Sequence, residues 1–189
     1  MGKRDPDMIR GIGKNIERFA GRKARDIVME GSEKISPGTS KKKIAEWVKE
    51  AINKLDKLAD KKVSSEIMEN CGYNCSIINK RVIERAKARR NKYKGIEEFL
   101  EAELSNPMPG TRLERKGNVL YQFYTPRSYS TPMRCYCSLL RGLPDDQKVS
   151  ITYCNCSKGF VNEFCDGVLE SSVEVELIKS SVSGAKECE

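Results

Sequence analysis

The chain reads as an α+β protein: helices come first, followed by an antiparallel sheet with a helix packed across it. Three observations predict this. Up to about residue 104 the apolar residues recur every three or four positions, the period of helices with one buried face. Beyond Pro109 the pattern changes to short apolar or alternating runs separated by Gly, Asn, Pro and Asp, as strands and tight turns require. The 189 residues, 38% hydrophobic and 33% charged, are also enough to bury a core without disulfides.

Element by element, residues 1–36 read as a helical arm, with Ile9, Ile12, Ile16 and Phe19 at helical spacing. Ser36-Pro37-Gly38-Thr39-Ser40 has linker composition. Ser40 is placed to N-cap a helix whose apolar stripe is Ile44, Val48, Ile52, Leu55 and Leu58. A second helix starts near Val63 and is expected to be disturbed at Gly72. A third spans Ser76 to Tyr93 with Ile77, Ile78, Val82, Ile83 and Ala86 inward, and a short acidic helix covers Ile96–Leu104. The loop Ser105–Gly110 follows.

Leu113 and Val119–Tyr124 read as strands around Lys116-Gly117-Asn118. Cys135–Leu140 and Val149–Cys156 read as two more, joined through Pro144-Asp145-Asp146. Ser157 is expected to cap a helix over Lys158–Val168, and Val173–Leu177 alternates as a half-buried strand does. Cys188 opens a last strand, which a second copy could complete in a homodimer. The organisation is a basic helical arm over 1–38 and a cysteine-rich domain over 39–189. The helical part of that domain is 39–105 and its sheet part 110–189.

Charge is unevenly spread. Of the net +8, residues 1–95 carry 25 Lys and Arg against 13 Asp and Glu, and residues 96–189 carry 10 against 14. A basic half attracts phosphate backbones. No helix-turn-helix, zinc-finger spacing or aromatic stacking motif accompanies it, so lysine-rich solvated helix faces are the plainer explanation. A DNA-associated regulator using the basic helix at 77–93 is the third functional class weighed here.

The cysteines carry most of the chemistry. Eight are present and histidine is absent. Six fall in close pairs: Cys71 and Cys75, Cys135 and Cys137, Cys154 and Cys156; Cys165 and Cys188 stand apart. Met1–Arg10 has no apolar run of the signal-peptide kind, and no apolar stretch of about 18 residues is long enough to span a bilayer. The expectation is therefore a cytoplasmic, non-membrane protein with reduced or metallated thiols, not a disulfide framework.

On a strand, positions i and i+2 share a face. Neighbouring strands carrying Cys135/Cys137 and Cys154/Cys156 would gather four thiols, the ligand set of structural zinc. Cys71 and Cys75, one helical turn apart, are the next candidates, with Cys188 behind them. Six or more convergent thiols also suit an iron–sulfur cluster. Cys165, within an apolar helix, reads as a small hydrophobe. Without histidine the usual general base and the Cys–His nucleophile pair are excluded. A thiol enzyme, redox or hydrolytic, is the runner-up; it would draw on Lys158 and the following helix N-terminus to lower the pKa of Cys154 or Cys156.

Tyr153-Cys154-Asn155-Cys156-Ser157-Lys158-Gly159-Phe160, then Phe164, Val173-Glu174-Val175-Glu176-Leu177 and Gly184-Ala185-Lys186-Glu187-Cys188 resemble the C-terminal half of the 4-vinyl-reductase domain. The resemblance covers roughly residues 110–188 and implies an α+β ligand-binding or sensor module. In aromatic-sensing members of that family a zinc is held by cysteines, and the matching positions here are Cys154 and Cys188. The family's strand cysteine falls near Ser180, and its acid falls on Leu177 or, one place off, Glu176. The wider cysteine pattern, from about residue 60, also resembles a group of cysteine-rich proteins from anaerobic bacteria and archaea, some labelled relatives of an amino-thiazoline-carboxylate hydrolase. The leading expectation is a non-catalytic, zinc-binding module that may hold a small-molecule ligand.

Overall fold

The computed structural model describes residues 4–108, 110–124 and 135–189. Pro109 of the expected loop and the first three residues of the arm lie outside them. Helix α1, Arg4–Val28, is kinked at Gly21, whose φ of 84° only glycine adopts freely. Ile9, Ile12 and Ile16 of α1 are buried in the main core, and the helix packs on α3. Helix α2, Lys41–Leu58, starts where expected: the Ser40 side chain accepts the Lys43 N–H at 3.3 Å. Its stripe of Ile44, Val48, Ile52 and Leu55 is buried, and only Leu58, at its end, is exposed.

Helix α3, Lys61–Ile78, is capped by Asp60, whose carboxylate accepts the Val63 N–H at 2.9 Å. It passes through Gly72 without interruption, so the expected disturbance there is corrected. The break comes at Asn79 (φ −107°, ψ 24°), and α4 runs from Lys80 to Arg90. The single helix read over 76–93 is therefore two. The Asn79 amide donates to the Cys75 carbonyl at 2.9 Å, the local side-chain bond by which asparagine competes with helical continuation. Ile77 and Val82, expected inward, are exposed at 56% and 45%, while Ala86 is buried. Helix α5, Ile96–Ser105, contributes Phe99 to a small second core with Ala86 and Val168.

Strands β1, Thr111–Lys116, and β2, Val119–Tyr124, form an antiparallel hairpin in register from Thr111↔Tyr124 to Lys116↔Val119. Gly117 supplies the positive φ (59°) its two-residue turn needs. Cys188 pairs with Tyr124 as an isolated antiparallel bridge, with N···O distances of 3.1 and 3.0 Å. Helix α6, Asn155–Leu169, packs chiefly on α3, and on α4.

The class is α+β as expected, with a smaller sheet. Residues 135–142 are a succession of turns, tied by Leu140 N–H to Cys137 O at 3.1 Å and Leu143 N–H to Leu140 O at 3.1 Å. Ile151–Cys154 is a 3-10 turn running straight into α6. Neither predicted strand at 135–140 or 149–156 forms, because a short apolar run does not distinguish a strand from a buried turn or helix start. Residues 173–178 keep the alternation of burial but pair in no ladder among the described residues.

Candidate metal centre

Seven cysteines meet in one buried region, although not by the strand geometry expected for them. Cys71 and Cys75 lie one turn apart on α3. Cys156 lies in the first turn of α6 and Cys154 just before it. Cys135 and Cys137 lie in the turns after residue 134, and Cys188 is bridged to the end of β2. The remaining thiol, Cys165, lies further along α6.

The approach of α3 to α6 rests on two glycines. A Cβ built on Gly72 would fall 2.0 Å from the Cys156 carbonyl oxygen and 2.7 Å from the Phe160 nitrogen. One built on Gly159 would fall 2.0 Å from the Glu69 carbonyl oxygen. Bare backbone on both sides brings the peptide of Cys156 against the turn bearing Cys71. Lys158 spans the same contact, its Nζ 2.6 Å from Glu69 Oε1. That cation is thus paired with α3, whereas the sequence suggested it would act on Cys154 and Cys156.

A second set of contacts gathers the other end. The Tyr124 and Tyr136 rings lie 5.4 Å apart, so the residue between Cys135 and Cys137 rests against the residue bridged to Cys188. The Cys154 thiol and the Ser180 hydroxyl share a hydrogen bond of 2.9 Å, and the adjacent Ser181 N–H donates to Cys188 Sγ at 3.4 Å. The loop bearing Cys137 is fixed from α1: Asp5, buried, accepts from Ser138 Oγ at 2.6 Å and from Lys41 Nζ at 2.5 Å.

Around the sulfurs stand N–H and O–H groups. Asn15 Nδ2 donates to Cys71 Sγ at 3.3 Å and Asn79 Nδ2 to Cys75 Sγ at 3.2 Å. The Cys137 N–H donates to Cys135 Sγ at 3.4 Å, and Cys137 Sγ shares a 3.0 Å hydrogen bond with the Tyr153 hydroxyl. The amides of Leu139 and Leu140 also bond to the Cys137 sulfur. Donors aimed at sulfur are what a metal-bound thiolate, which only accepts, requires of its surroundings.

Burial sets the protonation state. It pushes the Cys71 thiol up to about 12 and Cys154 up to about 11. Cys75, Cys135, Cys137 and Cys156 also rise, burial again being the largest cause. Neighbouring thiols add to it: Cys137, Cys154, Cys135 and Cys71 all act on Cys156, and Cys188 acts on both Cys135 and Cys154. Left to themselves these sulfurs stay protonated. A cation placed among them reverses the balance, because it stabilises the thiolates that burial opposes.

All eight cysteines are unpaired. Among the described residues no group of three or more Cys, Asp or Glu side chains stands ready-assembled as a metal site, so binding an ion requires thiols to rotate within the pocket. The donor set, soft sulfur framed by hydrogen-bond donors, fits zinc or an iron–sulfur cluster. The supporting residues Asn15, Tyr153, Ser180 and the two helical glycines were not singled out in the sequence for this purpose. Only the glycines, at mid-helix positions in cysteine-flanked segments, left a readable signal. Among the described residues no helix is long and apolar enough to cross a membrane.

Fold and site together define an α+β protein built around a buried polythiol cluster. Residues 11–189 match DUF6144, a family of unknown function, and the chain belongs to that family. Neither the curated proteins nor the solved structures contain a match to it.

Proposed function

We propose that this chain is a cytoplasmic, non-catalytic metal-binding protein whose paired cysteines hold zinc, with an iron–sulfur cluster as the alternative occupant of the same sulfurs. The observation that carries the reading is the convergence of seven thiols from α3, the 135–137 turns, the start of α6 and the C-terminal bridge. Cys71, Cys75, Cys135, Cys137, Cys154, Cys156 and Cys188 supply the ligands. Asn15, Asn79, Ser180 and Tyr153 orient them and offset thiolate charge.

Burial favours this reading over the thiol enzyme. A nucleophilic or redox-sensing cysteine needs a lowered pKa and access to solvent; these thiols are buried and shifted upward. A sensor role, in which a small molecule changes the metal's coordination, is suggested by the resemblance to the 4-vinyl-reductase domain. The test is metal analysis of protein purified without oxygen, compared with Cys154→Ser/Cys156→Ser. Metal in the parent and its loss in the variant support the proposal; equal, negligible metal in both removes it.

A further inference from the structure

We propose that the seven thiols form two adjoining tetrahedral sites for divalent metal ions, sharing Cys156 as a bridging thiolate. This deepens the metal-binding reading and rests on it. The arithmetic is geometric. One tetrahedral thiolate site uses four sulfurs, whereas two tetrahedra that share one vertex use seven, the number that converge here.

The supports of the cluster divide the same way. At the α3 end, Cys71 and Cys75 lie one helical turn apart, and the Gly72 contact sets the Cys156 peptide against that turn. Cys137 is electrostatically coupled to Cys75 and completes this set. At the other end, Cys154 and Cys188 are held by the adjacent Ser180 and Ser181. Cys135 joins them through the Tyr136–Tyr124 contact and the Tyr124–Cys188 bridge. The Cys135–Cys137 turn thereby gives one sulfur to each end.

Cys156 belongs to both sets. It follows Cys154 by two residues and lies under Gly72, and it feels the charge of Cys71 and Cys137 on one side and of Cys135 and Cys154 on the other. Binding exchanges seven S–H protons for sulfur–metal bonds, with no change in oxidation state.

The experiment is a cobalt(II) titration of the full chain, reduced and metal-free, under nitrogen. It is followed by sulfur-to-cobalt charge-transfer absorption and by elemental analysis. Two equivalents per chain are expected. Cys71→Ser/Cys75→Ser and Cys154→Ser/Cys188→Ser are each expected to lower the capacity to one, and Cys156→Ser to weaken the second equivalent at least tenfold. A break at one equivalent in the parent overturns the two-site arrangement and leaves the metal-binding proposal standing. No binding overturns both. Should a variant fail to fold, the parent's break point and cadmium NMR, with two signals for two sites and one for a single site, decide the question.

Discussion

Gly72 and Gly159 each face the backbone of the other's helix: a Cβ on either would come within 2.0 Å of a carbonyl oxygen, that of Cys156 or of Glu69. Each glycine costs its helix about 0.5–1 kcal/mol relative to alanine, a cost offset by bringing α3 and α6 together. The obstacle to a side chain is backbone, so no rotamer change relieves it.

Gly72→Ala is therefore expected to destabilise the fold by about 1–3 kcal/mol, as overpacking of a tight contact does, against the helix-propensity gain. It also moves Cys71 away from Cys156, so metal retention should fall with stability. Urea denaturation with metal analysis of the folded fraction checks both. Unchanged stability would mean the two helices do not approach as described.

Asp5 gives a pH dependence with a definite sign. Burial alone raises its pKa, but hydrogen bonds from Lys41 and Ser138, with the charges of Lys41 and Arg141, outweigh burial and hold the carboxyl below its ordinary 3.8. A depressed folded-state pKa contributes stability that is present above the unfolded value and lost as pH falls through the folded one. Asp5→Asn should thus destabilise near neutrality by about 1–3 kcal/mol, the cost of breaking charge-assisted buried hydrogen bonds. Its difference from the parent should shrink as the pH is taken below 3.8. Denaturation midpoints across that range test it.

Metal uptake should release protons. Thiols raised to about 12 at Cys71 and about 11 at Cys154 are protonated at neutral pH, so each ligating sulfur gives up nearly one proton, roughly four for a single four-thiolate zinc. Apparent affinity should accordingly rise steeply with pH. Calorimetry in two buffers of different ionisation enthalpy counts the protons. A count near zero would mean the ligands are already ionised or are not these cysteines.

Cys165 is the internal control. It is shifted up to about 11 by burial and by Asp166, with no other thiol among the causes. Cys165→Ala should leave metal content and cobalt spectrum unchanged. Loss of metal in that variant would move the site along α6.

Much of the fold was legible because helical faces repeat. Ile44, Val48, Ile52 and Leu55 declared their helix and its buried side, and Ser40 its start. Gly117 and its flanking apolar run declared the hairpin. The segments 135–140 and 149–156 were not legible: they are short, and what fixes them is distant. Ser138 bonds to Asp5, and the Val149 N–H donates to the Val182 carbonyl at 2.9 Å. The cysteine pairs were recognised, but their convergence was ascribed to strand faces. It arises from a glycine-mediated helix contact and a C-terminal bridge. Asn15 lies 56 positions from Cys71, and no local pattern announces a partner at such separation.

The most direct test of the central claim is elemental analysis, with an absorption spectrum on the same sample, of the full chain purified without oxygen. The account predicts at least one equivalent of thiolate-bound metal per chain. Zinc would leave the sample colourless; iron with sulfide would turn it brown. A chain carrying no metal, and taking none up when zinc is supplied to the reduced protein, would contradict it.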